Sequence, residues 1–507
     1  MKQKLPDQES KQLPGWSGRI LILAVAGILF LTLFPFRFVF HTEPRGILSP
    51  FLLQSGIKSA GALDDFLNVL LFVPFGFGLA GMLRDRGMRR IKSLASCLFA
   101  GALLSYGVEF LQNYIPNRDS GWHDVFTNST GAIVGCLLFE FAGRYTVHLL
   151  SAAEKFATNY LTWQRSIWII ALYFAAWVIF SIPLQQHARI WNWDSNALLS
   201  VGNFSSGRLD TAWRGSIYRL DFYDRSIPEN VAEKMTAENS SESTSTGLVA
   251  TYDFSVVPPV KDGTGHLPNL DWISSTSSPP TVNPIVLDGK SRLVSASPIG
   301  LLAKNFTETN QFSLRLICAA ANVSEMAGRI VTISRGSGTI DLDVKQEGAD
   351  LVFWFRNRLS ARRWILPWNV PGVFQKNQVR DILLSFDGAH LSLYIDGRKD
   401  SHAYLLGPAA VLAHFFRSIK TSELEGYNYV YYALIFFLGG ALIGISIRNP
   451  STRAIQCYFL LGAGFILPAV VLELVLMHVA GRAISFSNII LSISLAAGGS
   501  LWVNTDI

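Results

Sequence analysis

The sequence predicts a multi-span α-helical membrane protein with an all-β domain inserted between its fifth and sixth spans. Half of its 507 residues are hydrophobic, the mean hydropathy is +0.29, and only 16% of the residues are charged. Soluble domains are about 25% charged, so this deficit indicates a membrane protein. One stretch of the chain is polar and contains no spanning run, and it predicts the inserted domain.

Apolar runs of about 20 residues are long enough to cross a bilayer as a helix. The first such run is expected to be retained as a helix, because no small-residue cleavage site follows it. We expect about eight transmembrane helices. They are residues 20–40, 66–83, 93–112, 125–143, 166–184, 427–447, 454–477 and 483–503.

Basic residues in the short connections predict the orientation, since cytoplasmic loops are enriched in Lys and Arg. The three basic connections are residues 1–19, 84–92 and 448–453. One orientation places all three inside: the N-terminus is cytoplasmic and residues 187–426 are outside. The lipid bilayer is therefore a predicted partner. The net charge is +6, but the basic clusters flank apolar runs, which argues against nucleic acid as a partner.

The spans and the orientation predict five regions. A cytoplasmic tail (1–19) precedes a four-helix membrane domain (20–150). A cytoplasmic loop and the fifth helix (151–186) lead to the exported domain (187–426), and three helices (427–507) close the chain. The four cysteines have no metal-ligand spacing, and no metal site or cofactor is predicted.

The exported region alternates apolar and polar residues in eight short runs separated by turn residues, which is typical of a β-sandwich. Two of the runs are followed by Asp-Gly turns, at Asp387 and Asp396. The run "VRDILLSFDGAHLSLYIDGR" resembles the strand pair of laminin-G-like, concanavalin-A-like jelly-roll domains. "WRGSIYRLDFYDRSI" is similar to a second element of that family, although here it opens the domain. The resemblance implies a lectin-like domain and leaves calcium binding open; both aspartates are expected to form turns.

Polar residues recur at helical spacing in the second, third and fourth spans. Asp65 and Asn68 are three apart, as are Glu109 and Gln112, and Asp124 and Asn128 are four apart, so each pair shares a helix face. In the predicted topology all three pairs lie near the outer membrane surface, with Arg118 in the connection between the third and fourth spans. Gly76, Gly131 and Gly135 are expected to let the helices approach closely.

This pattern resembles the VanZ-like family of small bacterial membrane proteins over residues 20–150. The family motifs stand here as Asp65, Asn68, Phe72, Pro74, Gly76, Glu109, Gln112, Arg118, Asp124, Asn128, Gly131 and Gly135. The resemblance implies a cell-envelope protein of the bacterial cytoplasmic (inner) membrane and an association with glycopeptide antibiotic resistance. It does not imply a reaction.

Two interpretations of the polar residues remain open. In the first, they form an outward-facing pocket that recognises or processes an envelope glycoconjugate, such as a lipid-linked glycan. Glu109 or Asp124 is then the acid or base, and Arg118 holds an anion. In the second, the charges neutralise each other, and the bundle only anchors a glycan- or protein-binding module. The sequence leaves open whether the protein is an enzyme, which ligand it binds and its oligomeric state. Transport ranks last because the ionisable groups lie at helix ends.

Overall fold

The computed structural model describes residues 15–34, 36, 38, 62–115, 121–203, 212–237, 245–274, 284–324, 328–336, 339–360, 367–402, 404–416 and 421–504. Within this part of the chain, eight helices are long and apolar enough to cross a membrane. They are Trp16–Leu33, Asp64–Asp85, Arg90–Gln112, Trp122–Tyr160, Trp163–Ala188, Leu424–Ile447, Ala454–Ala480 and Phe486–Asn504. The chain is therefore a multi-pass membrane protein, and the predicted fold class is confirmed.

The described residues pack as two units. One unit comprises the described residues within Met1–Ala171, Phe437–Phe465 and Leu495–Ile507, and the other those within Leu172–Phe436 and Ile466–Ser494.

The helices, in chain order, are α1 (Trp16–Leu33), α2 (Ala62–Asp85), α3 (Arg90–Gln112), α4 (Trp122–Leu138), α5 (Arg144–Tyr160), α6 (Trp163–Ala188), α7 (Glu229–Thr236), α8 (Gly300–Thr309), α9 (Pro408–Phe416), α10 (Leu424–Tyr432), α11 (Leu438–Ile447), α12 (Ala454–Ala480) and α13 (Phe486–Asn504).

In the first unit, α2 packs along α4 at glycine positions. A Cβ on Gly76 would overlap the carbonyl oxygen of Ala132, and a Cβ on Gly131 would overlap that of Val69. Gly135 lies in the same way against Val73. Without a hydrophobic driving force between helices in lipid, such small residues permit the close backbone contact on which association depends. All three glycines thus lie at the helix contact that the sequence suggested for them.

The end of α2 near Asp85 carries ion pairs between guanidinium and carboxylate groups. Glu140 lies 3.0 Å from Arg84 and 2.9 Å from Arg90. Elsewhere in the same unit, Glu154 on α5 pairs with Arg19 at 3.0 Å and also with Arg448. These pairs balance charge among the basic connections that the sequence assigned to the cytoplasmic side.

One sequence interpretation needs correction. Residues 144–165, which separate the fourth and fifth predicted spans, do not form a loop throughout, because α4 passes through a π-helical turn (Phe139–Gly143) directly into α5 (Arg144–Tyr160). A helix continuous over 39 residues is about 58 Å long at 1.5 Å per residue. This exceeds the roughly 30 Å hydrocarbon thickness, so part of it extends beyond the bilayer core.

The second unit contains two antiparallel β-sheets. The strands are β1 (Leu198–Val201), β2 (Arg214–Tyr223), β3 (Leu248–Asp253), β4 (Leu270–Ser274), β5 (Ile285–Asp288), β6 (Ser291–Ser295), β7 (Phe312–Ala320), β8 (Gly328–Ser334), β9 (Ile340–Glu347), β10 (Asp350–Phe355), β11 (Trp368–Val370), β12 (Val379–Phe386), β13 (His390–Ile395), β14 (Arg398–Lys399) and β15 (Tyr404–Leu405). One sheet has the order β11-β10-β9-β8-β1-β6-β4, and the other β14-β13-β12-β7-β2-β3, with β5 beside β2 and β15 beside β13.

Aromatic side chains fill the space between the two sheets. Phe312 of β7 lies with its ring centroid 5.4 Å from that of Phe355 and 5.6 Å from that of Phe386. All three side chains are almost completely buried. Such aromatic pairs add about 0.5–1.5 kcal/mol each beyond the area they bury. The inserted region is therefore a β-sandwich with its own core.

All eight strands read from the sequence are present, and both Asp-Gly pairs form turns. Asp396 and Gly397 have φ angles of 49° and 81° between β13 and β14, as a two-residue hairpin turn requires. Asp387 accepts hydrogen bonds from the backbone N–H groups of Ala389 and His390. Both aspartates thus lie in turns, and the carboxylate of Asp396 also pairs with Arg380 at 2.6 Å.

Asn310, between α8 and β7, joins the sandwich to the membrane helices of the second unit. It adopts a left-handed conformation (φ 56°) and is fully buried. Its Nδ2 donates to the carbonyl of Ala480 at 2.5 Å and to that of Gly388 at 3.4 Å. Its Oδ1 accepts from the N–H of Ile190 at 2.8 Å. One amide therefore contacts the residues that follow α6, the end of α12 and the β12–β13 turn.

Candidate functional site

The candidate site is built at one end of α2, α3 and α4 in the first unit. Asp65 and Asn68 lie in the first two turns of α2, Glu109 and Gln112 in the last turn of α3, and Asp124 in the first turn of α4. Because α2 and α4 contact each other through their glycines, the polar residues at these helix starts meet directly.

The outermost contact of the site joins an aspartate to a histidine. Oδ1 of Asp65 lies 2.7 Å from Nε2 of His123, and the two side chains are 34% and 41% exposed. A carboxylate at this distance orients an imidazole. The pair is open to solvent.

The adjacent contact joins an amide to a carboxylate. Nδ2 of Asn68 donates to Oδ1 of Asp124 at 2.9 Å, and both residues are half-buried. An amide donor holds the carboxylate in place without neutralising it. Asp124 therefore retains the acceptor capacity that binding a hydroxyl or transferring a proton requires.

A third contact lies deeper along α4. Nδ2 of Asn128 donates to Oγ of Ser105 on α3 at 2.9 Å, and Asn128 is only 3% exposed. Its Oδ1 is buried and has no hydrogen-bond partner among the described residues. An acceptor left in this state costs about 1–3 kcal/mol. The site thus contains a buried, oriented acceptor that the described protein groups do not satisfy.

The two polar residues at the end of α3 bond to the backbone. Oε2 of Glu109 accepts from the N–H of Gly121 at 3.0 Å, and Nε2 of Gln112 donates to the carbonyl of Thr32 at 2.9 Å. Both are buried, at 2% and 7% exposure. Arg118, expected to hold an anion, lies outside the described residues.

The structure therefore brings Asp65, Asn68, Asp124 and Asn128 together along the α2–α4 contact, and it places Glu109 and Gln112 on the neighbouring helix end. Ser105 is a member that the sequence interpretation missed. A signal was available, since Ser105, Glu109 and Gln112 recur at i, i+4 and i+7 on one face of α3. The pairing of His123 with Asp65 also goes beyond the sequence expectation.

No group of three or more His, Cys, Asp or Glu side chains that could hold a metal ion occurs in the part of the chain described above. The arrangement instead combines carboxylates, amides and one imidazole. Its chemistry is that of hydrogen bonding to hydroxyl and amide groups and of proton transfer.

Comparison with known proteins found a family match for the N-terminal part of the chain. Residues 19–143 match the family model of VanZ/LLP1. This stretch contains all seven catalytic and pocket residues named from the sequence, together with the three packing glycines. A VanZ-like domain is characteristic of cell-envelope membrane proteins. No curated protein and no solved structure shows a significant match to the chain, and no family match supports a laminin-G-like or concanavalin-A-like name for the sandwich.

Proposed function

We propose that this membrane protein, which carries a VanZ-like domain over residues 19–143, recognises or processes an envelope glycoconjugate at the outer leaflet. The observation that carries the proposal is the half-satisfied Asn128 beside the Asn68–Asp124 contact. A buried acceptor and an oriented carboxylate on adjoining turns of α4 suit a ligand rich in hydroxyl and amide groups, as a glycan is.

In this proposal the residues have separate roles. Asp124 and Glu109 are the candidates for proton transfer, and Asn68, Gln112 and Asn128 fix the orientation of the ligand or of these carboxylates. Arg118 binds an anionic group such as a phosphate or carboxylate. The His123–Asp65 pair supplies a second proton carrier at the rim. The expected topology puts this end of the bundle outside, on the same side of the membrane as the sandwich.

A complementation experiment in a null strain of the host tests the proposal. Asp124→Asn and Arg118→Ala are expected to abolish the rescue of envelope and glycopeptide-tolerance phenotypes, at unchanged amounts of membrane-inserted protein. Glu140→Gln is the matched control, since Glu140 lies in the π-helical turn that follows α4 and is held by Arg84 and Arg90. Full rescue by both test variants would refute the proposal.

The alternative is a non-catalytic glycan- or protein-binding module anchored by the bundle. It draws support from Glu109 and Gln112, whose contacts to the backbone suit a structural role. Deleting residues 187–425 separates the two functions. An anchored module predicts that the deletion removes all function, whereas a functional pocket predicts that part of it remains.

A further inference from the structure

A polar cavity lies in the second unit, where the sandwich meets the ends of two membrane helices. Its volume is about 510 Å³, within the range of small-molecule pockets. The lining residues come from the end of α6, the end of α12, α8 and the segment after β10. They are Gln186, Arg189, Ile190, Trp191, Thr307, Arg358, His478 and Val479.

The charge of this cavity is positive. Arg189 and Arg358 contribute two guanidinium groups and His478 an imidazole, and no carboxylate lines the cavity among the described residues. Neither arginine forms an ion pair with a described carboxylate. Burial lowers the pKa of Arg189, as expected for a cation without an opposite charge beside it.

The carboxyl ends of three helices oppose an anion. The ends of α6, α8 and α12 reach the cavity through Gln186, Thr307 and His478, and each helix end carries about half a negative charge. Nη1 of Arg189 donates to the carbonyl of Val479 at the end of α12 at 2.5 Å. Arg358 is exposed, and its guanidinium lies 5.6 Å from the centroid of the Trp191 ring. Two full positive charges exceed these three partial negative ones.

The residues around the cavity are those expected at the level of lipid headgroups. Helix α6 has 26 residues, about 39 Å at 1.5 Å per residue, which exceeds a hydrocarbon core of roughly 30 Å, so at least one end of the helix reaches beyond the core. The cavity lies at the end that Trp191 follows. Trp191 is 42% exposed, and tryptophan is enriched at the membrane–water interface, where the headgroups lie.

We propose that this cavity binds the phosphate of an anionic headgroup, with Arg358 and Arg189 as its ligands. Guanidinium groups bind phosphate oxygens through paired, charge-assisted hydrogen bonds. The phosphate belongs either to a lipid in the membrane or to a soluble phosphate ester. The site uses none of the residues of the proposed function, so the two proposals stand or fall separately.

The test uses the full chain purified in a neutral detergent, with native mass spectrometry as the measurement. The probes are phosphatidylglycerol, phosphatidylcholine with the same acyl chains, and glycerol 3-phosphate. We expect the protein to bind phosphatidylglycerol about tenfold more tightly than phosphatidylcholine, since one charge-assisted contact is worth about 1.5 kcal/mol or more. Arg358→Gln should remove this preference, and Arg358→Lys should keep part of it.

Arg335→Gln is the control variant, because Arg335 is an exposed arginine of the same sandwich, paired with Asp194 at 3.6 Å. It should leave the binding unchanged. Displacement of the lipid by millimolar glycerol 3-phosphate assigns the site to soluble esters, and resistance to it assigns the site to lipid. The proposal is overturned if neither phosphatidylglycerol nor glycerol 3-phosphate binds in a manner that depends on Arg358.

Discussion

Two buried asparagines, one in each unit, illustrate different uses of the same side chain. Asn310 is fully buried, and both its Oδ1 and its Nδ2 have protein partners. Asn128 is 3% exposed, and only its Nδ2 has a described partner. A fully bonded amide fixes the position of the elements it joins. A half-bonded amide pays the desolvation cost and keeps an oriented acceptor for another molecule.

The largest effect should follow from removing the satisfied amide. Asn310→Ala leaves the N–H of Ile190 and the carbonyl of Ala480 unpaired and puts alanine in a left-handed conformation. We expect it to lower the free energy of unfolding by about 4 kcal/mol. Thermal and denaturant unfolding of the detergent-solubilised chain measure this loss.

Asn310→Gly separates the two causes, because glycine adopts the left-handed conformation without strain. It should recover about 1 kcal/mol of the loss. An Asn310→Ala variant as stable as the wild type would contradict the view that full hydrogen bonding marks a structural amide.

Asp341 on β9 is a fully buried carboxylate within the sandwich whose two oxygens have different partners. Its Oδ2 accepts from the N–H of Asp194 at 2.8 Å, whereas its Oδ1 has no hydrogen bond among the described residues and lies 3.2 Å from Nε of Arg356. Burial raises the pKa of Asp341 to about 6, against the backbone N–H of Asp194 and the charge of Arg356, which lower it. The folded chain therefore holds a proton there that the unfolded chain releases near pH 4.

Because the pKa of Asp341 is higher in the folded chain than in the unfolded chain, its protonation stabilises the fold. This contribution is fully present below about pH 4 and is lost as the pH rises through about 6. Between those limits we expect the wild type to lose up to about 3 kcal/mol relative to Asp341→Asn, which does not titrate. Unfolding measured from pH 4 to pH 7.5 checks the sign. Asp271→Asn, at an exposed position on β4, is the control, and a wild type that gains stability relative to Asp341→Asn over this range would refute the expectation.

The smallest effect on stability should come from Asn128. Asn128→Ala removes one hydrogen bond to Ser105 together with an unsatisfied acceptor, so the free energy of unfolding should change by less than about 1 kcal/mol. Function should nevertheless fall sharply if the acceptor serves a ligand. Unfolding and complementation measured on the same variant separate the two roles. Strong destabilisation with normal function per folded molecule would reverse the assignment.

The sequence predicted the spans and many of the strands because both have signals with a physical basis. A span needs a minimum length of apolar residues, and a half-buried strand alternates apolar and polar residues. A bilayer requires about 20 apolar residues, and all eight runs became helices. Alternation identified eight strands. It did not identify four short ones of only four or five residues, namely β1, β4, β5 and β6. The connection before α6 is helical because its apolar residues recur along one helix face, a pattern that a search for long apolar runs does not detect.

The site was predictable only in part. Spacing placed Asp65 with Asn68 and Asp124 with Asn128 on shared faces, but it does not determine which faces meet. The Asn68–Asp124 and Asn128–Ser105 contacts depend on the rotation of the helices about their axes, which the glycine contacts set. The family resemblance reached further than spacing, because it joined residues of three helices into one motif, and residues 19–143 match the model of that family.

The contact made by Asn310 also has a mechanical consequence. Gln311 donates to the carbonyl of Gly481, and Asn310 holds that of Ala480, so the sandwich is bonded to the hairpin between α12 and α13. Force applied to the sandwich reaches the end of α12 and this hairpin through these hydrogen bonds. A flexible linker would absorb such a load. The sandwich is therefore placed to transmit tension into the membrane part of its own unit.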